Sequence, residues 1–289
     1  MKPNPTPTRR IQAILILSIT YMFAELLGGI LSGSLTLLAD AGHMAIDSAG
    51  LSLGLFALWV SQKAPNDAKT YGYYRAEILA ALFNGALLVA LAGWLISRAI
   101  MRLSEPSIVH GETMTLIALG GLVVNLIALK TLHQSCSHNL NTRGMFLHIL
   151  SDTLGSVSAV LAGILIWWKQ WYLADPIISL VISAFILYGS WKLLTEAVDV
   201  LLEAVPEGIN IAEIKARIES MTKVRDVHDL HVWRVGTGMV ALSAHVGVES
   251  GADHADLLKA ITALANQHFK IDHVTVQLDP PHYAHGQMH

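Results

Sequence analysis

Up to about Leu202 the chain is dominated by long apolar runs separated by short polar breaks. A helix needs roughly 20 apolar residues to cross a bilayer, and a backbone in lipid must satisfy its own polar groups. The runs therefore predict six membrane helices, at approximately Ile11–Leu31, Leu38–Val60, Ala76–Ile100, Met114–Leu132, Met145–Trp168 and Pro176–Leu194. The breaks are legible. Ser32-Gly33-Ser34 is a tight turn, Gln62 to Arg75 is a polar loop with Pro65 and Asn66, and Ser104-Glu105-Pro106 ends the third span. His133 to Arg143 and Lys169 to Pro176 separate the last three spans. No small-residue cleavage motif follows the first run, so it reads as a helix that stays in place.

From Val205 onward the pattern changes. Ile209 to Thr222 has a helical period, Val227 to Val235 and Val240 to Val248 read as strands, Ala252 to Phe269 as a helix, and Val274 to Leu278 as a last strand. The expected fold is thus an all-α transmembrane domain of six helices, residues 1–204, followed by a small α+β domain, residues 205–289, of order αββαβ with its helices on one face of the sheet. Only 14% of residues are charged, against about 25% in soluble domains. The formal net charge of -3 argues for no nucleic-acid partner. Cys136 is the single cysteine, which excludes an intrachain disulfide.

Lys and Arg set the orientation. One side collects Lys2, Arg9, Arg10, Lys63, Lys69, Arg75, Lys130, Arg143 and Lys192, the other only Arg98, Arg102 and Lys169. Both termini, and with them the α+β domain, are expected in the cytoplasm. Trp167, Trp168, Trp171 and Tyr172 mark an interface at the end of the fifth span.

Two of the apolar runs carry the same pair. His43 and Asp47 lie in the second span, His148 and Asp152 in the fifth, each pair one helical turn apart. Ionisable groups at membrane depth are costly and mark function. Two His and two Asp brought together would make a four-coordinate divalent-metal site. Imidazole suits zinc and its neighbours, so this set favours Zn2+, with Cd2+ and Co2+ as competitors and Fe2+ or Ni2+ still possible. A divalent ion neutralises two carboxylates, whereas the same site without the ion would take up protons. A site that holds metal and protons in turn is an exchanger. Glu25 and Asn84 are polar residues within spans, placed either to orient ligands or carry protons or to bond between helices. Asp40, one turn before His43, reads as a cap for the second span, the alternative being a partner of the metal ligands.

Histidines crowd the tail. A two-residue turn beginning at Gly236 would place His228 opposite His245, and alternation would put His231 on the other face of its strand. Asp279 is the expected third ligand beside His228 and His245. His273 and His254 are candidates for a neighbouring position, and His282, His285 and His289 lie near the free end.

The segments Leu37-Leu38-Ala39-Asp40-Ala41-Gly42-His43-Met44, His148-Ile149-Leu150-Ser151-Asp152, Ala174-Asp175-Pro176-Ile177 and Val227-His228-Asp229-Leu230-His231-Val232-Trp233 together resemble those of the cation diffusion facilitators, in particular their bacterial zinc exporters. The resemblance spans nearly the whole chain. It implies a homodimer in the cytoplasmic (inner) membrane, a metallochaperone-like cytoplasmic domain, and metal/proton antiport out of the cytoplasm. It implies a transport site at His43, Asp47, His148 and Asp152. The loop from Asn66 to Tyr74 lacks the histidines of some relatives, His133, Cys136 and His138 are all that remains of a richer cluster, and Gln277 stands where some relatives carry His. The competing readings are an intramembrane zinc hydrolase, for which Glu25 is the one nearby base and no His-Glu-x-x-His exists, and a membrane-anchored metal sensor working through its tail.

Overall fold

The computed structural model describes residues 7–133, 140–236 and 238–280, and within them all side chains except those of 7–15, 131–133, 140–149 and 151. Six long helices come first: α1 (Pro7–Ser32), α2 (Leu35–Ser61), α3 (Arg75–Ser104), α4 (Gly111–His133), α5 (Leu140–Lys169) and α6 (Ala174–Leu201). Among the described residues α2, α3, α4 and α6 are long and apolar enough to cross a membrane, and Ile16–Ser32 of α1 is a shorter apolar stretch. The tail follows as α7 (Ile211–Glu219), β1 (Val224–Gly236), β2 (Met239–Val248), α8 (His254–Phe269) and β3 (His273–Asp279). The chain is a helical transmembrane domain followed by a small α+β domain.

Two compact units divide the residues: one holds the chain up to Leu53 with Phe83–Leu193, the other Gly54–Leu82 with Leu194 onward. In the first unit many large apolar side chains face outward, as Phe23, Leu51, Phe83 and Phe185 do, while Ser32, Thr36, Thr115, Ser156, Ser179 and Ser183 are buried. This is the arrangement lipid demands, since helix association there rests on close packing and internal polar contacts rather than on hiding apolar surface. Gly163 shows the closeness: a Cβ there would lie 2.4 Å from Thr115 Oγ1, so α4 and α5 meet at nearly bare backbone.

α2 starts on an assembled cap. Ser34 Oγ accepts from the Leu37 N–H at 3.2 Å. Asp175, on α6 and fully buried, accepts from Ser34 Oγ at 2.6 Å, the Leu35 N–H at 2.8 Å and the Thr36 N–H at 3.0 Å. The first N–H groups of α2 are thereby satisfied. Arg102 of α3 reaches the Gly33 carbonyl at 2.5 Å and Asp175 Oδ2 at 3.4 Å, giving the buried carboxylate its counter-charge. Asp40 is therefore not the cap expected of it. It sits within α2, beyond the first turn, and is buried.

The second unit contains a three-stranded sheet of order β1-β2-β3, β1 and β2 antiparallel, β2 and β3 parallel through the α8 crossover. Asn210 caps α7 and Asp253 caps α8. Ile214 and Ile218 of α7 and Leu257, Ile261 and Ala265 of α8 pack on Val227, Val232, Leu242, Ala244 and Val246, so both helices cover one face of the sheet. The other face carries the histidines.

The route to that face differs from the simple hairpin. The strands close at Gly236 and Met239, not at Val235 and Gly238, yet His228 still pairs with His245. Register shifts between His228 and His231 and between Arg234 and Gly236 make up the difference. Asp229 lies in the first shift with a left-handed φ of 50°, a conformation that Asp tolerates better than most residues. The bulge also corrects the expectation for His231. His231 pairs with Ser243 and His228 with His245, two positions apart on β2, so His231 shares the face of His228.

Candidate metal centres

In the membrane domain α2 brings His43 Nε2 to 3.4 Å from Asp47 Oδ2, both side chains partly buried. Ligands about 2.0–2.2 Å from a tetrahedral zinc lie roughly 3.3–3.6 Å from each other, so the pair already has the separation of two corners of such a site. Asp152 is half-buried on α5. His148 lies one turn before it on the same helix; its side chain, with those of His133, Cys136 and His138 and the terminal His282, His285 and His289, lies outside the described residues. α5 faces α2 at this level, since a Cβ on Gly155 would lie 3.9 Å from Asp40 Oδ1. Glu25 of α1 is also buried here, with Oε2 meeting no hydrogen-bond partner. Asn84 of α3 leaves Oδ1 unbonded in the same way and packs against Gly50 of α2, where a Cβ would lie 2.3 Å from that oxygen.

In the tail, His228, His245 and Asp279 each offer a ligand atom within 4.8 Å of the others, the one such group of three among the described residues. Asp279 Oδ2 lies 3.4 Å from His228 Nε2 and 3.2 Å from His245 Nδ1. The two imidazoles come from adjacent strands, ring centres 5.6 Å apart. Asp279 comes from the end of β3, almost wholly buried, and its other oxygen accepts from Gln277 Nε2 at 2.9 Å. Each imidazole turns its remaining nitrogen toward a further carboxylate: His228 Nδ1 lies 3.5 Å from Asp226 Oδ2, and His245 Nε2 lies 3.8 Å from Asp229 Oδ2. A carboxylate facing the outer nitrogen of each ring favours a proton on that side, which leaves the inner nitrogen for a metal. Asp229 also accepts from His231 at 2.8 Å, and that hydrogen bond holds its carboxyl below the usual carboxylate range.

Nothing in the sequence assigns Asp226 or Asp229 a place beside these histidines. No spacing rule marks them, because the bulge at Asp229 decides where they point. His273 and His254 are not brought to the trio. His273 pairs with Ala241, four positions along β2 from His245, and its ring meets Tyr71 edge-on at 5.8 Å. His254 is exposed at the start of α8, on the helical side of the sheet.

A helical membrane domain with a His–Asp pair inside an apolar helix, joined to an α+β domain with a His2Asp cluster, defines a membrane protein with candidate metal ligands in both domains. Two family descriptions match the sequence: the cation efflux transmembrane domain over residues 11–202 and the cation efflux protein cytoplasmic domain over residues 206–281. The chain belongs to the cation efflux family, a family of transporters and not of enzymes. It is 39% identical to the zinc transporter ZitB of Escherichia coli (strain K12) over 96% of this chain and 89% of that protein. It is 37% identical to the cadmium, cobalt and zinc/H(+)-K(+) antiporter of Bacillus subtilis (strain 168), over 98% of this chain and 92% of that one. The solved metal-bound C-terminal domain of the CzcD transporter from Cuprividus metallidurans matches 25% of this chain and 99% of its own, at 28% identity and a TM-score of 0.24.

Proposed function

We propose that this protein is a Zn2+/H+ antiporter of the inner membrane that exports zinc from the cytoplasm, acting as a homodimer with both termini cytoplasmic. The observation that carries the reading is the His43–Asp47 pair at 3.4 Å inside an apolar helix, repeated in sequence by His148 and Asp152 on α5. The relatives named for zinc transport and for proton antiport support it, and the match of the tail to a cytoplasmic-domain family whose name refers to a dimer supports the homodimer.

In this reading residues 1–204 transport and residues 205–289 sense. A zinc ion entering from the cytoplasm meets two carboxylates and two neutral imidazoles, and the complex is neutral, which lowers the penalty of holding charge in the membrane. After the domain switches to face outward, protons compete for the same oxygens and nitrogens and release the ion. Alternating access around one fixed site then exchanges metal for protons. The donor set also admits Cd2+ and Co2+.

Uptake into proteoliposomes tests this. Vesicles acidic inside should accumulate zinc against its gradient, and a protonophore should stop the accumulation. Flux indifferent to the pH gradient would replace the antiporter with a channel.

The tail trio is proposed as a regulatory zinc site. The donor chemistry fits, with two imidazoles and a buried carboxylate whose second oxygen is already occupied by Gln277. Asp279→Ala in the full-length protein should lower the zinc bound at saturation by one tail site per chain and leave the membrane-bound zinc in place. Binding at the tail should weaken on acidification, because metal ligation requires unprotonated imidazoles. Unchanged stoichiometry by equilibrium dialysis would remove the trio from consideration.

A further inference from the structure

Glu25 is a carboxyl group with no visible employment. It sits on α1, 1% exposed, and its Oε2 is buried with no hydrogen-bond partner among the described residues. Space has been left for it. Gly121 of α4 faces it, and a Cβ at that position would come within 2.7 Å of Glu25 Oε1. Tyr21, one turn earlier on α1, lines the same gap, with its ring 2.7 Å from that hypothetical Cβ. Its hydroxyl is committed elsewhere, donating to the Ile117 carbonyl. Among the described residues, the charged groups that act on Glu25 are Asp40 of α2 and Asp152 of α5, both carboxylates. Neither a Lys nor an Arg is among them.

A structural carboxylate in such a place would be bonded to a neighbouring helix or paired with a cation, as Asp175 is with Arg102. Glu25 has neither. A lone negative charge away from water costs several kcal/mol, so the group must hold a proton or meet a cation. Asp152, which the transport reading makes a ligand, is one of the carboxylates whose field reaches it. When a divalent ion arrives there, the surrounding negative potential falls, and a proton on Glu25 becomes easier to give up.

We propose that Glu25 is a proton-carrying carboxyl of the exchange, set apart from the metal ligands, which holds a proton when the transport site is empty and releases it when metal binds. This rests on the antiport reading. Glu25 contributes to coupling rather than to metal affinity, and Gly121 keeps the room it needs.

Two measurements decide it. Dicyclohexylcarbodiimide labels protonated carboxyls in apolar surroundings. With the full-length protein in detergent, peptide mass spectrometry should find the label on Glu25, and saturating zinc should reduce it. In proteoliposomes Glu25→Gln should bind zinc with wild-type stoichiometry but lose the stimulation of uptake by a pH gradient. A gradient effect equal to wild type in Glu25→Gln overturns the proposal. So does a Glu25 that is unlabelled, or labelled equally with and without zinc, and this arm needs no variant to fold. If wild-type uptake itself ignores the gradient, it is the antiport reading that has failed, which the same vesicles reveal first.

Discussion

Asp47→Asn and Asp152→Asn should each abolish zinc transport while leaving a folded membrane protein. The substitution preserves shape and removes one negative charge. With the ion bound, the site would then carry a net positive charge in a region where lone charge is expensive, and one anionic oxygen ligand would be replaced by a weak neutral one. Removing a group that merely orients a metal ligand costs about 10–100-fold in affinity or activity; removing a ligand should cost more than about 100-fold in initial uptake. Both variants should also lose the proton movement that accompanies zinc entry, since an ion that does not bind displaces nothing. Zinc uptake and vesicle pH followed together check this. Near wild-type flux from either variant, with the protein intact by size exclusion, would sink the transport-site assignment.

The second large effect concerns stability. Asp175→Ala should destabilise the membrane domain by about 3–5 kcal/mol, the range for breaking a buried pair by removing one partner. Asp175 is fully buried and serves three donors at the start of α2 and the guanidinium of Arg102. Its loss strands the Leu35 and Thr36 N–H groups and leaves Arg102 without its carboxylate. Asp175→Asn, which keeps one carbonyl acceptor, should lose less. Transport should fall in Asp175→Ala as well, because α2 holds His43 and Asp47 two turns and more beyond the cap. Thermal melting in detergent separates the cases: a wild-type midpoint for Asp175→Ala would show that the cap is dispensable.

The two metal regions were legible in the sequence to different degrees. The spacing of His43 to Asp47 and of His148 to Asp152 is a property of the helix itself, so the α2 pair could be placed before any fold was known. The tail trio combines two adjacent strands and the end of a third. Counting back from the expected turn pairs His228 with His245; the observed turn lies one residue further along the chain, and two register shifts restore the pairing. A strand pattern has period two and does not announce an inserted residue. For that reason simple alternation puts His231 on the wrong face and gives Asp226 and Asp229 no place beside the histidines. Asp175 shows the same limit in the membrane. Asp-Pro reads as a local helix start, but its carboxylate caps α2 from a distant place in the chain.

By itself the sequence determined what depends on composition and local period: the apolar helices and their breaks, the order of elements in the tail, the His–Asp spacing on α2 and α5, and the kind of metal such donors take. These follow from the helix repeat and from the cost of polar groups in lipid, which need no tertiary contact. The tertiary structure alone decided which carboxylate caps α2, which imidazole nitrogens face Asp279, where Asp229 turns the strand, and that Glu25 is buried with Oε2 unbonded among the described residues. Those depend on residues far apart in the chain meeting at distances of a few ångströms, and no spacing along one strand or helix encodes them.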